Sequence, residues 1–312
     1  MLLDRAGFSS GVIDAQGREN FAKALRAFQQ VNGLKTTGKL DRPTFDTLAA
    51  TFDGEVLQRY TITDADVEGP FVDHVPHDFN DMAKLKQLAY RSSRELLAER
   101  FHASEDLLAA LNPKQDMARA GAEIVVPAVK PLDELKQEAK DETKQQARQQ
   151  AKSRTAPRRR AQTVGAGEAA EIDQDSAARI EVNKRERTVR VFGPDGTLLA
   201  FYPASIGNSE KPAPSGTFEV RRVTVDPTYR YDPKYAFKGQ TAKKPVEVMP
   251  GPNNPVGAVW IGLTADSYGI HGTPEPQSVG KTASHGCVRL TNWDALALAR
   301  RVKKGTPVAF ID

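Results

Sequence analysis

Ser284-His285-Gly286-Cys287-Val288-Arg289 follows Ile270-His271-Gly272-Thr273 after a short interval, and the two stretches hold the chain's only cysteine and two of its five histidines. A free thiol titrates at about pH 8.5, so an imidazole that takes its proton, or a cation that holds its charge, makes it markedly more reactive at neutral pH. Gly286 permits close backbone approach beside the thiol, and Arg289 brings a charge two residues beyond it. The competing reading is structural: lone cysteines are often buried small hydrophobes, and histidines often only satisfy a hydrogen bond. The residue types alone leave both readings open.

The pattern of a histidine, a variable loop, Ser-His-Gly-Cys, a hydrophobic residue and Arg resembles the catalytic motif of the YkuD-type L,D-transpeptidases, which remodel bacterial peptidoglycan. The resemblance covers residues 179–312, and the interval between His271 and Ser284 is shorter than usual, which bears on the lid. It implies that Cys287 is the nucleophile attacking the carbonyl between the L-centre of meso-diaminopimelate and the terminal D-alanine of a tetrapeptide stem. D-alanine leaves and an acyl-enzyme remains. His271 resembles the base, and the Gly272 carbonyl the group that orients its ring. His285 resembles the second motif histidine, the N–H groups of Gly286 and Cys287 an oxyanion hole, and Arg289 a partner for a substrate carboxylate. Ser284 is expected to orient the loop or the substrate. A second diaminopimelate amine as acceptor gives a 3→3 cross-link, water gives an L,D-carboxypeptidase, and an amine on an envelope protein attaches that protein to the wall. The motif does not choose among them.

Working back along the chain, Arg179-Ile180-Glu181-Val182-Asn183 and Thr188-Val189-Arg190-Val191-Phe192 alternate polar and apolar residues about a polar turn, and Leu198-Leu199-Ala200-Phe201-Tyr202 follows the turn at Gly193-Pro194-Asp195-Gly196. This predicts a β-meander. Further strands are expected at residues 218–223 and 256–263, a short helix at 292–302, and a last strand, Pro307-Val308-Ala309-Phe310-Ile311, that closes the sheet. The catalytic unit is therefore expected to be a mainly β sandwich or barrel with Cys287 on a loop at its rim. Residues 226–255 form a long aromatic-rich excursion, read as a lid over Cys287, with Tyr229 and Tyr231 as candidate substrate contacts.

The chain reads as multidomain, divided at 1–56, 57–131, 132–178 and 179–312. Phe21, Leu25, Phe28 and Val31, then Thr44-Phe45-Asp46-Thr47-Leu48 after Pro43, have the spacing of packed helices. This small all-α unit resembles a peptidoglycan-binding domain that recognises glycan strands, and its start near Met1 suggests that a longer natural N-terminus has been removed. Residues 90–128 resemble the helix, helix, strand half of an α+β LysM module, with Tyr90-Arg91-Ser92-Ser93 in place of the familiar opening. Lys, Glu and Gln dominate residues 136–152 and Arg158-Arg159-Arg160 follows Pro157, so 132–178 reads as a charged, flexible, partly helical linker without an apolar stripe wide enough to bury. Surface or capping roles are assigned to His74, His77 and His102 in preference to metal ligation.

At 312 residues with 39% apolar content the chain can hold more than one core, and a net charge of +4 is too modest to demand a nucleic-acid partner. One cysteine allows no internal disulfide, as suits an exported enzyme whose thiol stays free. The sequence carries neither a signal peptide nor an apolar run of membrane-spanning length. The wall-directed resemblances nevertheless place the protein in the periplasm or cell envelope. The expected chemistry needs no metal or cofactor, which predicts insensitivity to EDTA. The non-enzyme alternative is a wall-binding scaffold, which failure of Cys287 to react with a carbapenem would favour.

Overall fold

The computed structural model describes residues 1–155, 175–207, 211–235, 237, 239–282, 284 and 286–312. It opens with three helices, α1 (Leu2–Arg5), α2 (Glu19–Val31) and α3 (Arg42–Ala50). Asp41 caps α3 by accepting from Thr44 N at 3.0 Å. Leu25, Phe28 and Leu48 pack with Leu3, Phe8 and Ala24, as the spacing predicts, and Phe201 of the catalytic unit completes this core. Val31 and Phe45 are exposed, at 48% and 47%, because the outer face of each helix meets no partner.

The middle of the chain contains β1 (Leu57–Thr61), α4 (Asp64–Glu68), α5 (Phe79–Met82), α6 (Ser93–Arg100), α7 (Glu105–Leu111) and β2 (Glu123–Pro127). β1 and β2 pair antiparallel, Leu57 opposite Pro127 and Thr61 opposite Glu123. The strand that partners β2 thus lies well ahead of Tyr90. Ser92, expected at the module's opening, instead caps α6 by accepting from Glu95 N at 3.1 Å.

The helix α8 (Leu132–Thr155) corrects the expectation of a flexible linker over that stretch. Leu132, Leu135 and Ala139 are buried in the main core, a narrow stripe one residue wide per turn. Flanking charges hold it: Lys136 and Lys140 both pair with Asp226, the latter at 2.9 Å, and Glu138 pairs with Arg300 at 2.8 Å. The Arg158-Arg159-Arg160 cluster lies outside the described residues.

The catalytic unit is one mixed eight-stranded sheet, built from β3 (Arg179–Asn183), β4 (Thr188–Phe192), β5 (Leu198–Pro203), β6 (Gly216–Val225), β9 (Val259–Leu263), β10 (Gly269–His271), β11 (Val288–Arg289) and β12 (Pro307–Ile311), with β7 (Tyr229–Tyr231) and β8 (Val246–Val248) forming a separate antiparallel pair. Its order is β11-β10-β9-β6-β12-β3-β4-β5, and an isolated bridge between Ser205 and Arg289 joins its two ends, so the sheet rolls into a half-barrel and not a sandwich. The predicted meander is β3-β4-β5, whose alternation buries Ile180, Val182, Val189 and Val191. β12 does not close the sheet at an edge: it inserts between β6 and β3, parallel to β3. α9 (Asn292–Ala299) packs under β9 and β10, its N-cap Thr291 accepting from Asp294 N at 3.0 Å.

The N-terminal segment covers the β5 edge. Phe201 N donates to Gly7 O at 2.8 Å and Ser9 N donates to Phe201 O at 2.9 Å, so an otherwise open strand is capped by the chain's own start. Gly7 sits at φ +84°, and a side chain there would meet the Leu199 carbonyl oxygen at 2.6 Å.

Candidate active site

β10 and β11 are parallel neighbours with Ile270 opposite Val288 and His271 opposite Arg289. That register sets Cys287, the residue before β11, beside Gly269, and brings the two quoted stretches into one place. His271 is buried, and its Nδ1 lies 2.6 Å from the Gly272 carbonyl oxygen, which fixes Nδ1 as the protonated nitrogen and leaves Nε2 as the basic one. On the other side β9 pairs with β10, Trp260 opposite His271, and the indole stacks on the imidazole at 5.5 Å. Sequence reasoning placed Trp260 only in a strand; its contact with the imidazole comes from cross-strand pairing.

Burial dominates the electrostatics. It lowers the His271 pKa to about 3, with the Arg289 charge adding to the effect and the Gly272 hydrogen bond opposing it. It raises the Cys287 thiol to about 11, against smaller opposing pulls from the Gly269 backbone and Arg289. Cys287 keeps part of its surface open to solvent. The thiol donates to Ser267 O at 3.8 Å. The resting pair is therefore thiol and neutral imidazole, not thiolate and imidazolium.

Arg289 is partly buried, and its Nε has no hydrogen-bond partner. Its backbone is fixed by Arg289 N donating to Ser205 O at 2.8 Å. An unpaired guanidinium N–H beside the thiol is suited to a carboxylate. Gly286 adopts φ +108°, and a side chain there would press on the Tyr268 ring at 3.1 Å. Gly272 is equally constrained: a Cβ would lie 2.0 Å from Asn292 Oδ1. Asn292 in turn accepts from Ala258 N and donates to Glu99 Oε1, both at 2.8 Å. Asn292 and Glu99 back the His271–Gly272 turn from distant parts of the chain, which no local motif signals. His285 lies outside the described residues.

Of the expected substrate contacts, Ser284 is buried and its hydroxyl donates to the Cys287 carbonyl at 2.5 Å, which ties the nucleophile's loop, the first of the two roles expected of it. Tyr231 is 2% exposed, packs against Phe79 at 4.7 Å and accepts from Phe237 N at 3.3 Å, so it belongs to the core of the excursion. Tyr229 packs beside it against Phe79 at 5.3 Å, and burial is the main cause that pushes its hydroxyl pKa well up. The excursion touches the site through Tyr235, whose hydroxyl lies 2.6 Å from Ser267 Oγ. At its far end Thr241 N and Oγ1 donate to Asp78, at 2.8 and 2.6 Å, and Asn253 Nδ2 donates to Ala89 O at 2.8 Å. The middle of the chain holds the excursion down.

Comparison with known proteins agrees with this arrangement. Residues 177–309 match the family model of the L,D-transpeptidase catalytic domain, and residues 1–48 match that of a candidate peptidoglycan-binding domain. Among curated relatives named as candidate L,D-transpeptidases, YkuD of Bacillus licheniformis is 34% identical over 131 residues, which is 42% of this chain and 64% of YkuD. YbiS of Escherichia coli K12 is 36% identical over 138 residues, 43% of this chain and 44% of YbiS. The chain thus spans about two thirds or less of these two relatives. YqjB of Bacillus subtilis 168 is 35% identical over 136 residues, covering 42% of this chain and 69% of YqjB. With His271 on β10, Cys287 immediately before the neighbouring β11, and this match across most of YqjB, the chain belongs to the L,D-transpeptidase family.

Proposed function

We propose that this protein is a peptidoglycan L,D-transpeptidase that forms 3→3 cross-links through an acyl-enzyme on Cys287. The observation that carries the reading is the His271 Nδ1–Gly272 carbonyl contact of 2.6 Å on the strand beside the one that Cys287 precedes. A carbonyl anchor orients the ring without adding a titrating charge. His271 Nε2 accepts the thiol proton as sulfur attacks the meso-diaminopimelate carbonyl, the C–N bond to D-alanine breaks, and the imidazolium returns the proton to the departing amine. The Gly286 and Cys287 N–H groups receive the negative oxygen of the tetrahedral intermediate. Arg289 meets a substrate carboxylate. The side-chain amine of a second stem then attacks the thioester, His271 accepts its proton, and the thiol is restored.

The excursion at residues 226–255 serves as the lid, with Tyr229 as a candidate substrate contact, and is braced by the segment around Asp78. The N-terminal helices act as the wall-binding unit, in keeping with their family match. The pairing of β1 with β2 around α6 and α7 favours a LysM-like plan for the middle, with the opening strand at Leu57–Thr61. A location in the periplasm or cell envelope is in keeping with this reading, and among the described residues no helix is long and apolar enough to cross a membrane. Incubation with a disaccharide-tetrapeptide, followed by mass spectrometry, tests the proposal. Cross-linked dimers that disappear in Cys287→Ala are expected. Tripeptide alone would make the enzyme a carboxypeptidase, and no turnover by folded protein would favour a binding role.

A further inference from the structure

Away from Cys287, three buried groups converge from three parts of the chain: Asp4 on α1, His102 just after α6, and Asp294 in the first turn of α9. Their relative exposures are 6%, 3% and 0%, and one ligand atom from each lies within 4.8 Å of the others. His102 Nδ1 is 3.7 Å from Asp4 Oδ1. Among the described residues, neither carboxylate oxygen of Asp4 nor His102 Nδ1 makes a hydrogen bond, while Asp294 has only the Ser9 and Thr291 hydroxyls near it, short of full hydrogen-bond geometry. The Met1 amino group stands 3.4 Å from Asp4 Oδ2 without hydrogen-bond geometry. An under-satisfied buried cluster of two carboxylates and an imidazole nitrogen is costly, because buried polar atoms are almost always paired. His102, assigned a surface or capping role from the sequence, is in fact interior.

We propose that Asp4, His102 and Asp294 form a binding site for one divalent transition cation, Zn²⁺ or Mn²⁺, that fastens the N-terminal helices and the middle of the chain to the catalytic unit. The donor set of one imidazole and two carboxylates matches those ions better than Mg²⁺ or Ca²⁺, which prefer all-oxygen sites. Metal–ligand distances of about 2.0–2.2 Å require the three groups to draw together by roughly 1 Å. The second shell is in place. His102 Nε2 lies 3.3 Å from Thr291 Oγ1, so an Nε2–H directed at that hydroxyl leaves Nδ1 with its lone pair toward the carboxylates. The ring is held flat against Trp293, at 4.7 Å and 1°.

The test uses the full chain in a Cys287→Ser background, so that the nucleophile cannot ligate. After EDTA and desalting, Zn²⁺ or Mn²⁺ is added, bound metal is counted by elemental analysis, and melting is followed by circular dichroism. One ion per chain and a higher Tm are expected, with Co²⁺ giving visible d–d bands and no thiolate charge-transfer band. Asp4→Asn and Asp294→Asn, each verified as folded, should each weaken binding at least tenfold and abolish the Tm rise. Folded protein that takes up neither ion, or takes one up equally well in both Asn variants, would overturn the site.

Discussion

With the thiol raised to about 11 and the imidazole lowered to about 3 by the same burial, little thiolate exists at neutral pH before substrate arrives. Alkylation of Cys287 by a small electrophile should accordingly be slow at pH 7 and keep rising up to about pH 11, with no plateau near 8.5, as a pH series of alkylation rates would show. Gly286→Ala should cost about 1–3 kcal/mol of strain, since it forces a side chain into a left-handed backbone and onto Tyr268; acylation should slow by at least tenfold while the fold, read by circular dichroism, persists. The cysteine, its histidine and the glycines were legible in the sequence because their chemistry is local. Trp260, Asn292 and Glu99 were not, because they reach the His271–Gly272 turn through strand pairing and packing across the chain. Tyr231 was misassigned for the reverse reason: aromatic content marks a core as readily as a binding wall, and Phe79, which buries it, lies far away in sequence.

Among the elements, strands with clean alternation were readable to the residue, as β3 and β4 show, because one face is buried and the other half-exposed. The position of β12 was not, since alternation says nothing about neighbours, and a parallel partner such as β3 gives no turn signal. The packing of α8 was missed, though its helical character was not, because three apolar positions sit among charges that turn out to be paired with Asp226 and Arg300. The β7–β8 excursion is anchored at Asp78, which accepts two bonds from Thr241 and one from Asn80 N. Asp78→Ala should therefore loosen it: faster hydrogen exchange over residues 240–248 and a KM raised several-fold, with Tm lowered by no more than a few degrees. Unchanged exchange in that segment would show that Asp78 does not brace it.

At the scale of the whole molecule, distant parts of the chain meet at the site. Glu99, from the middle of the chain, holds Asn292 against the Gly272 turn, and burial raises its pKa to about 7 from an ordinary 4.5. Between those values the native state keeps a proton that the unfolded chain has released, so this residue's contribution to stability falls as pH rises from 4.5 to 7. Glu99→Gln, which still accepts from Asn292, should match the parent protein's Tm near pH 4.5 and exceed it by a few degrees at pH 8; equal melting at both values would remove Glu99 from the account. The central claim is the covalent step at Cys287, and it is tested most directly by intact-protein mass spectrometry after brief mixing with a disaccharide-tetrapeptide. An added mass equal to the donor less D-alanine, mapped by digestion to Cys287 and absent from Cys287→Ala, is predicted. A donor adduct on another residue, or one that survives in Cys287→Ala, would contradict it.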